Sequence, residues 1–381
     1  MTLPLFPVTT VGSWPRPAAL LRAQREARAG RLDPAEAERV ADASVMALLD
    51  LQEQIGVDLV TDGEQRRDNF YSFVADRLDG VRLMTLAEML DIIEDKAGFE
   101  RILQTLDVPA FSISNPTCVG RIARRRPLAV DEVRFANRHT TRPLKVTLPG
   151  PYLLTRAMFV SEATRAAYAT KEELAEDVVR VLVEEIEELC AEGIAFVQLD
   201  EPVLTELVFT QGRTRTFMCA ALASTQDPTA ELELAVGLIN RVLAAARGVR
   251  TGLHVCRGNW SRDESTLLRG GYEPLKPWFD RIAVDQLVLE YATERAGGLL
   301  RFEGKELGLG VVNPRTALQE SADEVRGRIE RALTLYPAGQ IFLNPDCGFA
   351  TFSNRPVNEW EVASGKIRTM VAAARTLREG T

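Results

Sequence analysis

The sequence predicts an α/β protein, a TIM (β/α)8 barrel with a long insertion after its second strand. Three observations carry that prediction. About eight short β-branched or apolar runs recur along the chain, and helix-period segments separate most of them. No GxGxxG follows the first strand and no GxxxxGK[ST] occurs, which removes support for a nucleotide-binding doubly wound sheet. The chain has 381 residues, whereas such barrels need roughly 250 before insertions. The whole of 1–381 is therefore expected to be a single barrel domain, with the excess at 65–143.

Taken in order, residues 7–11 form the first strand and lead into a helix over 18–29. Residues 34–55, rich in Ala, Glu and Leu, repeat with the period of a long amphipathic helix, and 57–61 is the second strand. The insertion holds a helical stretch around 86–106 and a polar, Arg-rich piece at 112–126, the pattern of an elaborated βα loop. Strands three to five are expected at 144–148, 195–199 and 250–255, with helices over 171–192 and 229–247 between them. Strands six to eight fall at 283–289, 307–312 and 341–344, with helices over 322–335 and 359–378.

Composition excludes several function classes. Forty-six Lys+Arg against 54 Asp+Glu give a net charge of −8, which opposes nonspecific binding to nucleic acid or anionic membrane. No stretch approaches the ~20 apolar residues of a membrane span, and residues 1–11 lack the basic flank and apolar core of a signal peptide. Five cysteines, an odd and sparse set, point to a reducing cytoplasm rather than a disulfide framework. Only two histidines occur, His139 and His254, so chemistry needing several histidines is excluded.

In a barrel the chemistry sits just past the C-terminal ends of the strands, and the polar residues fall there. Gly12-Ser13 ends the first strand, Asp62-Gly63-Glu64 the second, Pro149-Gly150-Pro151 the third and Asp200-Glu201-Pro202 the fourth. His254-Val255-Cys256, Glu290, Asn313 with Arg315, and Asp346-Cys347-Gly348 end the remaining four. His254, Cys256, Glu290 and Cys347 make a donor set of two thiolates, one imidazole and one carboxylate, which suits tetrahedral zinc. The His-x-Cys pair lies two residues apart on a strand end, where alternation puts both side chains on one face. Burial as plain core cysteines is the alternative that these residues alone leave open, and it is the reading for Cys118, Cys190 and Cys219. Glu64 and Asp200, side by side, would favour a cationic group such as an amino-acid ammonium; loop salt bridges are the alternative. The run 121–126 is either a solvated face or a docking patch for an anionic partner.

Taken together, Thr10-Val11-Gly12-Ser13-Trp14-Pro15, Asp62-Gly63-Glu64, Gln198-Leu199-Asp200-Glu201-Pro202, His254-Val255-Cys256, Leu289-Glu290 and Asn344-Pro345-Asp346-Cys347-Gly348 resemble the catalytic half of cobalamin-independent methionine synthase, in the same order and across essentially the whole chain. The resemblance implies a TIM barrel holding zinc through His254, Cys256, Glu290 and Cys347. It also implies homocysteine bound by Gly12, Ser13, Glu64 and Asp200, and a zinc-bound thiolate that attacks an electrophilic methyl group.

Three departures bear on the methyl donor. The long synthase has two barrel halves and this chain is one. The family histidine after the seventh strand aligns with Arg315, which is always charged and a poor proton donor. The tryptophan that stacks on the pterin falls at Ala157, although Glu206 matches a pterin contact. Glu206, Asn313 and Arg315 are thus the donor-side candidates, and a non-folate donor such as a methylcorrinoid protein is expected. The Arg-rich run within 65–143 is its candidate docking surface. The alternatives are an epoxyalkane:coenzyme M transferase-like zinc thiol alkyltransferase and a folate-dependent methionine synthase.

Overall fold

The structure is a computed structural model that describes residues 3–85, 87–89, 114–209 and 227–380. Cys219, and the helical stretch expected around 86–106 except for 87–89, lie outside the described residues.

The described residues hold eight strands: β1 (Leu78–Thr85), β2 (Ser114–Arg124), β3 (Lys145–Pro149), β4 (Phe196–Asp200), β5 (Arg250–Val255), β6 (Gln286–Leu289), β7 (Glu306–Val312) and β8 (Ile341–Pro345). β3 to β8 form one six-stranded parallel sheet in sequential order. Every residue of β3, β4, β6 and β8 is buried, as expected where both faces of a parallel sheet are covered. The runs 7–11 and 57–61 enter beside this sheet as isolated parallel bridges rather than full strands. Val8 pairs with Leu343 of β8, Thr9 with Leu59, and Val60 with Leu144 next to β3.

Helix starts and stops follow local chemistry. The helix Pro34–Ile55 begins where the Asp33 carboxylate accepts from Ala35 N, with proline in its first turn, and it ends at Gly56 in a left-handed conformation (φ 94°). Ser321 and Glu324 form a reciprocal capping box at the start of Ala322–Leu333. The described helices include none long and apolar enough to cross a membrane.

The insertion departs from the expected loop. Its Arg-rich piece is β2, paired antiparallel with β1 through a register shift between Asp79 and Val81. Gly80 occupies that shift at φ 76°, where a β-carbon would collide with the Arg121 carbonyl. Arginines, a proline and a glycine interrupt the β-branched pattern of 114–124, and its partners lie 29 to 46 positions back, from Thr85↔Ser114 to Leu78↔Arg124. Neither feature is visible to a local periodicity. Arg124 is buried in ion pairs with Glu185 (3.0 Å) and Glu188 (2.7 Å) of the helix Lys171–Ala191. Arg121 and Arg125 remain more than half exposed.

Glu185 joins the insertion to the rest of the fold. Fully buried, its carboxylate accepts from Leu128 N (2.7 Å), Ala129 N (2.6 Å) and Val130 N (3.0 Å), the amides that open the helix Val130–Asn137. Glu185→Ala would strand those amides and the Arg124 cation, so a loss of about 3–5 kcal/mol is expected, read as a fall in thermal midpoint.

Candidate metal centre

The parallel register sets the site. Asp200 at the end of β4 lies opposite His254 near the end of β5, and Val255 lies opposite Leu289, one residue before Glu290. Short strands ending at one edge thus bring residues distant in sequence onto one rim.

His254, Cys256 and Cys347 are all buried, and their ligating atoms lie within 4.8 Å of one another. The His254 Nδ1 bonds to the Val288 carbonyl at 3.0 Å, which orients the ring. Its Nε2 is buried with no hydrogen-bond partner. A fixed imidazole with one unsatisfied nitrogen beside two thiols is the arrangement a bound metal needs. Contact with Cys347, aided by the nearby His254 ring against the cost of burial, holds the Cys256 thiol well below its ordinary range. The same contact and burial push Cys347 up.

Glu290, expected with these three, lies beside them with its carboxylate bound elsewhere. Oε2 accepts from Arg257 N (2.8 Å) and Nη1 (3.3 Å), and Oε1 from Arg295 Nη2 (2.9 Å) and Arg315 Nη1 (3.1 Å). Burial would raise its pKa, but Arg295, Arg315 and Arg257 overcome that and hold it at about 2. Arg315 also bonds Asn259 Oδ1 (3.2 Å) and Glu264 (3.2 Å) and stands 3.7 Å from Asp346. Asn313 donates to the same Glu264 carboxylate at 2.7 Å. Arg257, Arg295, Glu264 and Asp346 were not anticipated. Asp346 lies inside a recognised motif and Arg257 directly after one, whereas Arg295 and Glu264 have no local signal.

Another part of the rim is built from the segments after 7–11 and 57–61 and from residues of β3 and β4. Glu64 is buried in a left-handed backbone conformation (φ 53°). Its Oε1 accepts from Thr147 Oγ1 at 2.9 Å, while Oε2 is buried without a partner. A side chain at Gly12 would collide with Glu64 Oε1 and Thr147, so glycine is required there. Gly348, next to Cys347, is packed against the Ser13 hydroxyl in the same way. Asp200 Oδ1 accepts from Gln198 Nε2 at 2.7 Å. Burial, opposed by the His254 ring and reinforced by Glu64, pushes its carboxyl up to about 7. Lys145, missed in the sequence, is buried with Nζ on the Thr10 carbonyl (2.8 Å). Burial pulls it down to about 7 against the attraction of Asp200 and Glu64. Its only sequence signal is a lysine heading an otherwise uncharged buried strand.

The remaining candidates are placed apart from these. Glu206 is buried on the helix Val203–Phe209, near Arg156. Ala157 is fully buried in the helix Pro151–Met158. Glu201 is a fastening group rather than a site acid, since its oxygens accept from Tyr152 N (2.8 Å) and Leu153 N (2.9 Å). His139 is exposed and bonds Phe135 O through Nδ1 at 2.8 Å. Cys118 is buried, as expected, but Cys190 is only partly so.

The model for the catalytic domain of cobalamin-independent synthase matches residues 6–376. A methionine synthase from Thermococcus kodakarensis is 30% identical over 383 residues, 99% of this chain and 95% of that protein. One from Saccharolobus solfataricus is 28% identical over 384 residues, 99% of this chain and 96% of that protein. Among solved structures, the B12-independent methionine synthase from Shewanella sp. W3-18-1 in complex with selenomethionine superposes with a TM-score of 0.74 at 22% identity, covering 99% of this chain and 98% of that one.

The shared carboxylate at Glu290 predicts a stability effect separate from chemistry. Glu290→Gln removes the charge that three buried arginines face, and a destabilisation of about 3–5 kcal/mol is expected. Denaturant unfolding of the purified protein measures it, and an unchanged midpoint would show that the arginines are satisfied without Glu290.

Proposed function

The chain belongs to the catalytic-domain family of cobalamin-independent methionine synthase, and from that premise we propose that it is a zinc-dependent methyltransferase that forms methionine from homocysteine. The observation that carries this reading is the buried His254–Cys256–Cys347 group with its unpartnered imidazole nitrogen. Its nitrogen and sulfur donors suit zinc. Zinc bound there would lower the pKa of the substrate thiol and hold it as the nucleophilic thiolate.

Glu290 is the fourth ligand in this reading, and the exchangeable one. Its carboxylate has an alternative berth on Arg257, Arg295 and Arg315, so it can leave a position to the thiol. Gly12 and Ser13 border the amino-acid end of homocysteine, and Glu64 and Asp200 receive its ammonium. The buried, unpartnered Oε2 of Glu64 is an acceptor waiting for a donor. Fixing that end turns attack on the methyl group into a positioned, effectively intramolecular event. A coenzyme M-like thiol fits less well, because its sulfonate would meet two acids.

The donor in this reading is not a folate. Arg315 is locked among Glu264, Glu290 and Asp346 and cannot protonate a leaving group. Ala157 offers no aromatic platform, and Asn313 is occupied by Glu264. Glu206 alone keeps the donor-side pattern. A methylcorrinoid protein needs no such acid. The sulfur pair forms the S–CH3 bond, the cobalt–carbon bond breaks with its pair left on cobalt, and the thiol proton leaves to solvent. Exposed Arg121 and Arg125 on β1–β2 are candidates to meet that protein, whereas Arg124 is held inside the fold.

We further take the sheet and its two bridging runs as an eight-stranded (β/α)8 barrel in one domain over 1–381, decorated by 65–143. The parallel bridges of Val8, Thr9 and Val60 between β8 and β3 support that closure. Free thiols at the centre suit a reducing cytoplasm.

Two measurements test the reading. Methyl transfer to homocysteine is expected from methylcobalamin and not from methyltetrahydrofolate; product only with the folate, or only from coenzyme M with an epoxide, would overturn it. Cys256→Ala and Cys347→Ala are each expected to weaken zinc binding by roughly 100-fold in competition with a chromophoric chelator, with Cys118→Ala unaffected. Full zinc retention in Cys347→Ala would remove that residue from the ligand set.

A further inference from the structure

Arg16 lies outside every group considered so far, yet it is the side chain that touches three loops of the site. It is buried, 6% exposed. Its Nη1 donates to Ala350 O (2.6 Å) and Trp14 O (3.3 Å), and its Nη2 to Glu64 O (2.6 Å) and Arg67 O (3.0 Å). Those carbonyls belong to the loop after 7–11, which carries Ser13, the loop after 57–61, which carries Glu64, and the loop after β8, which carries Cys347. All four acceptors are neutral backbone. A buried cation is costly without a countercharge in contact, so its retention calls for a return elsewhere.

We propose that Arg16 is a positioning residue that fastens these three loops into one rigid frame, setting Glu64 and Ser13 at a fixed distance from the thiol-bearing end of the site. The inference rests on the functional reading above and adds how the amino-acid end and the sulfur end are kept in register. Glu64 supplies the reason. Its backbone is left-handed, a conformation that a non-glycine residue keeps only where its surroundings over-determine it. Arg16 grips the Glu64 carbonyl, while Thr147, itself held by Arg67 Nη1 at its carbonyl (2.9 Å), holds the carboxylate. Backbone bonds knit the same loops: Trp14 N to Gly63 O at 2.9 Å and Phe349 N to Ser13 O at 3.0 Å. A planar, two-pronged guanidinium reaches four carbonyls at once. The single ammonium of lysine cannot, so Arg16→Lys retains the charge and loses the frame.

The test uses the purified zinc-loaded enzyme, Arg16→Lys and Arg16→Gln, with methylcobalamin as donor and two acceptors: homocysteine, and 2-mercaptoethanol, a thiol without an amino-acid end. In both variants kcat/KM for homocysteine is expected to fall roughly 100-fold with a raised KM, while 2-mercaptoethanol turnover and zinc content stay close to wild type. An unchanged ratio between the two thiols, whether activity is kept or lost in parallel, overturns the role. A wild-type enzyme inactive with homocysteine would instead remove the functional reading itself. Should neither variant fold, hydrogen exchange on the wild type decides. Loops 12–16, 62–67 and 347–351 are expected to gain protection together when homocysteine is added, and protection confined to one of them overturns the frame.

Discussion

Parallel pairing of β3 through β8 is the constraint on which everything else in this molecule depends. Strands that run the same way end on the same edge, and a register that sets Asp200 against His254 leaves little freedom in what faces what. The loops after those strands inherit this precision. Cys256 and Cys347, ninety-one positions apart in sequence, reach one point because β5 and β8 end on the same edge. Short, wholly buried strands also leave no solvent for the polar groups at their ends, so each must find a partner inside the protein.

That scarcity of water organises the charges. Glu290 is shared by three arginines, Arg67 is paired with Glu132 at 2.7 Å, and Arg16 is dissolved in backbone carbonyls. Among the buried polar atoms that lack a partner, two face the candidate centre from different strand ends: the His254 Nε2 and the Glu64 Oε2. In the proposed reading the first would be a metal donor and the second an ammonium acceptor. Lys145 is buried where it feels the charges of Asp200 and Glu64. Two thiols beside an imidazole, with Asp200 on the neighbouring strand end, are the arrangement from which the homocysteine proposal starts.

Arg315 is tied into the same arginine–carboxylate cluster that holds Glu290, so the two share one set of hydrogen bonds. Neither Arg315 nor Glu290 can move without the other losing a partner.

Local chemistry in the sequence determined a good deal here. Helices and the strands of the parallel sheet followed periodicity and apolar runs, although 7–11 and 57–61 form only isolated bridges. The ends of those strands marked where polar side chains gather, and the His-x-Cys and Asp-Cys-Gly motifs named three residues that meet. Only the tertiary structure decided that Glu290 rests on arginines, that the Arg-rich stretch is a strand paired across the insertion, and that Lys145 and Arg16 belong to the site. The physical reason is range. Periodicity and caps act over a few residues, whereas Arg16 meets Ala350 across 334 positions and Lys145 meets Thr10 across 135. Such contacts between single charged residues and backbone carbonyls leave no pattern in the chain, and only the folded register brings them together.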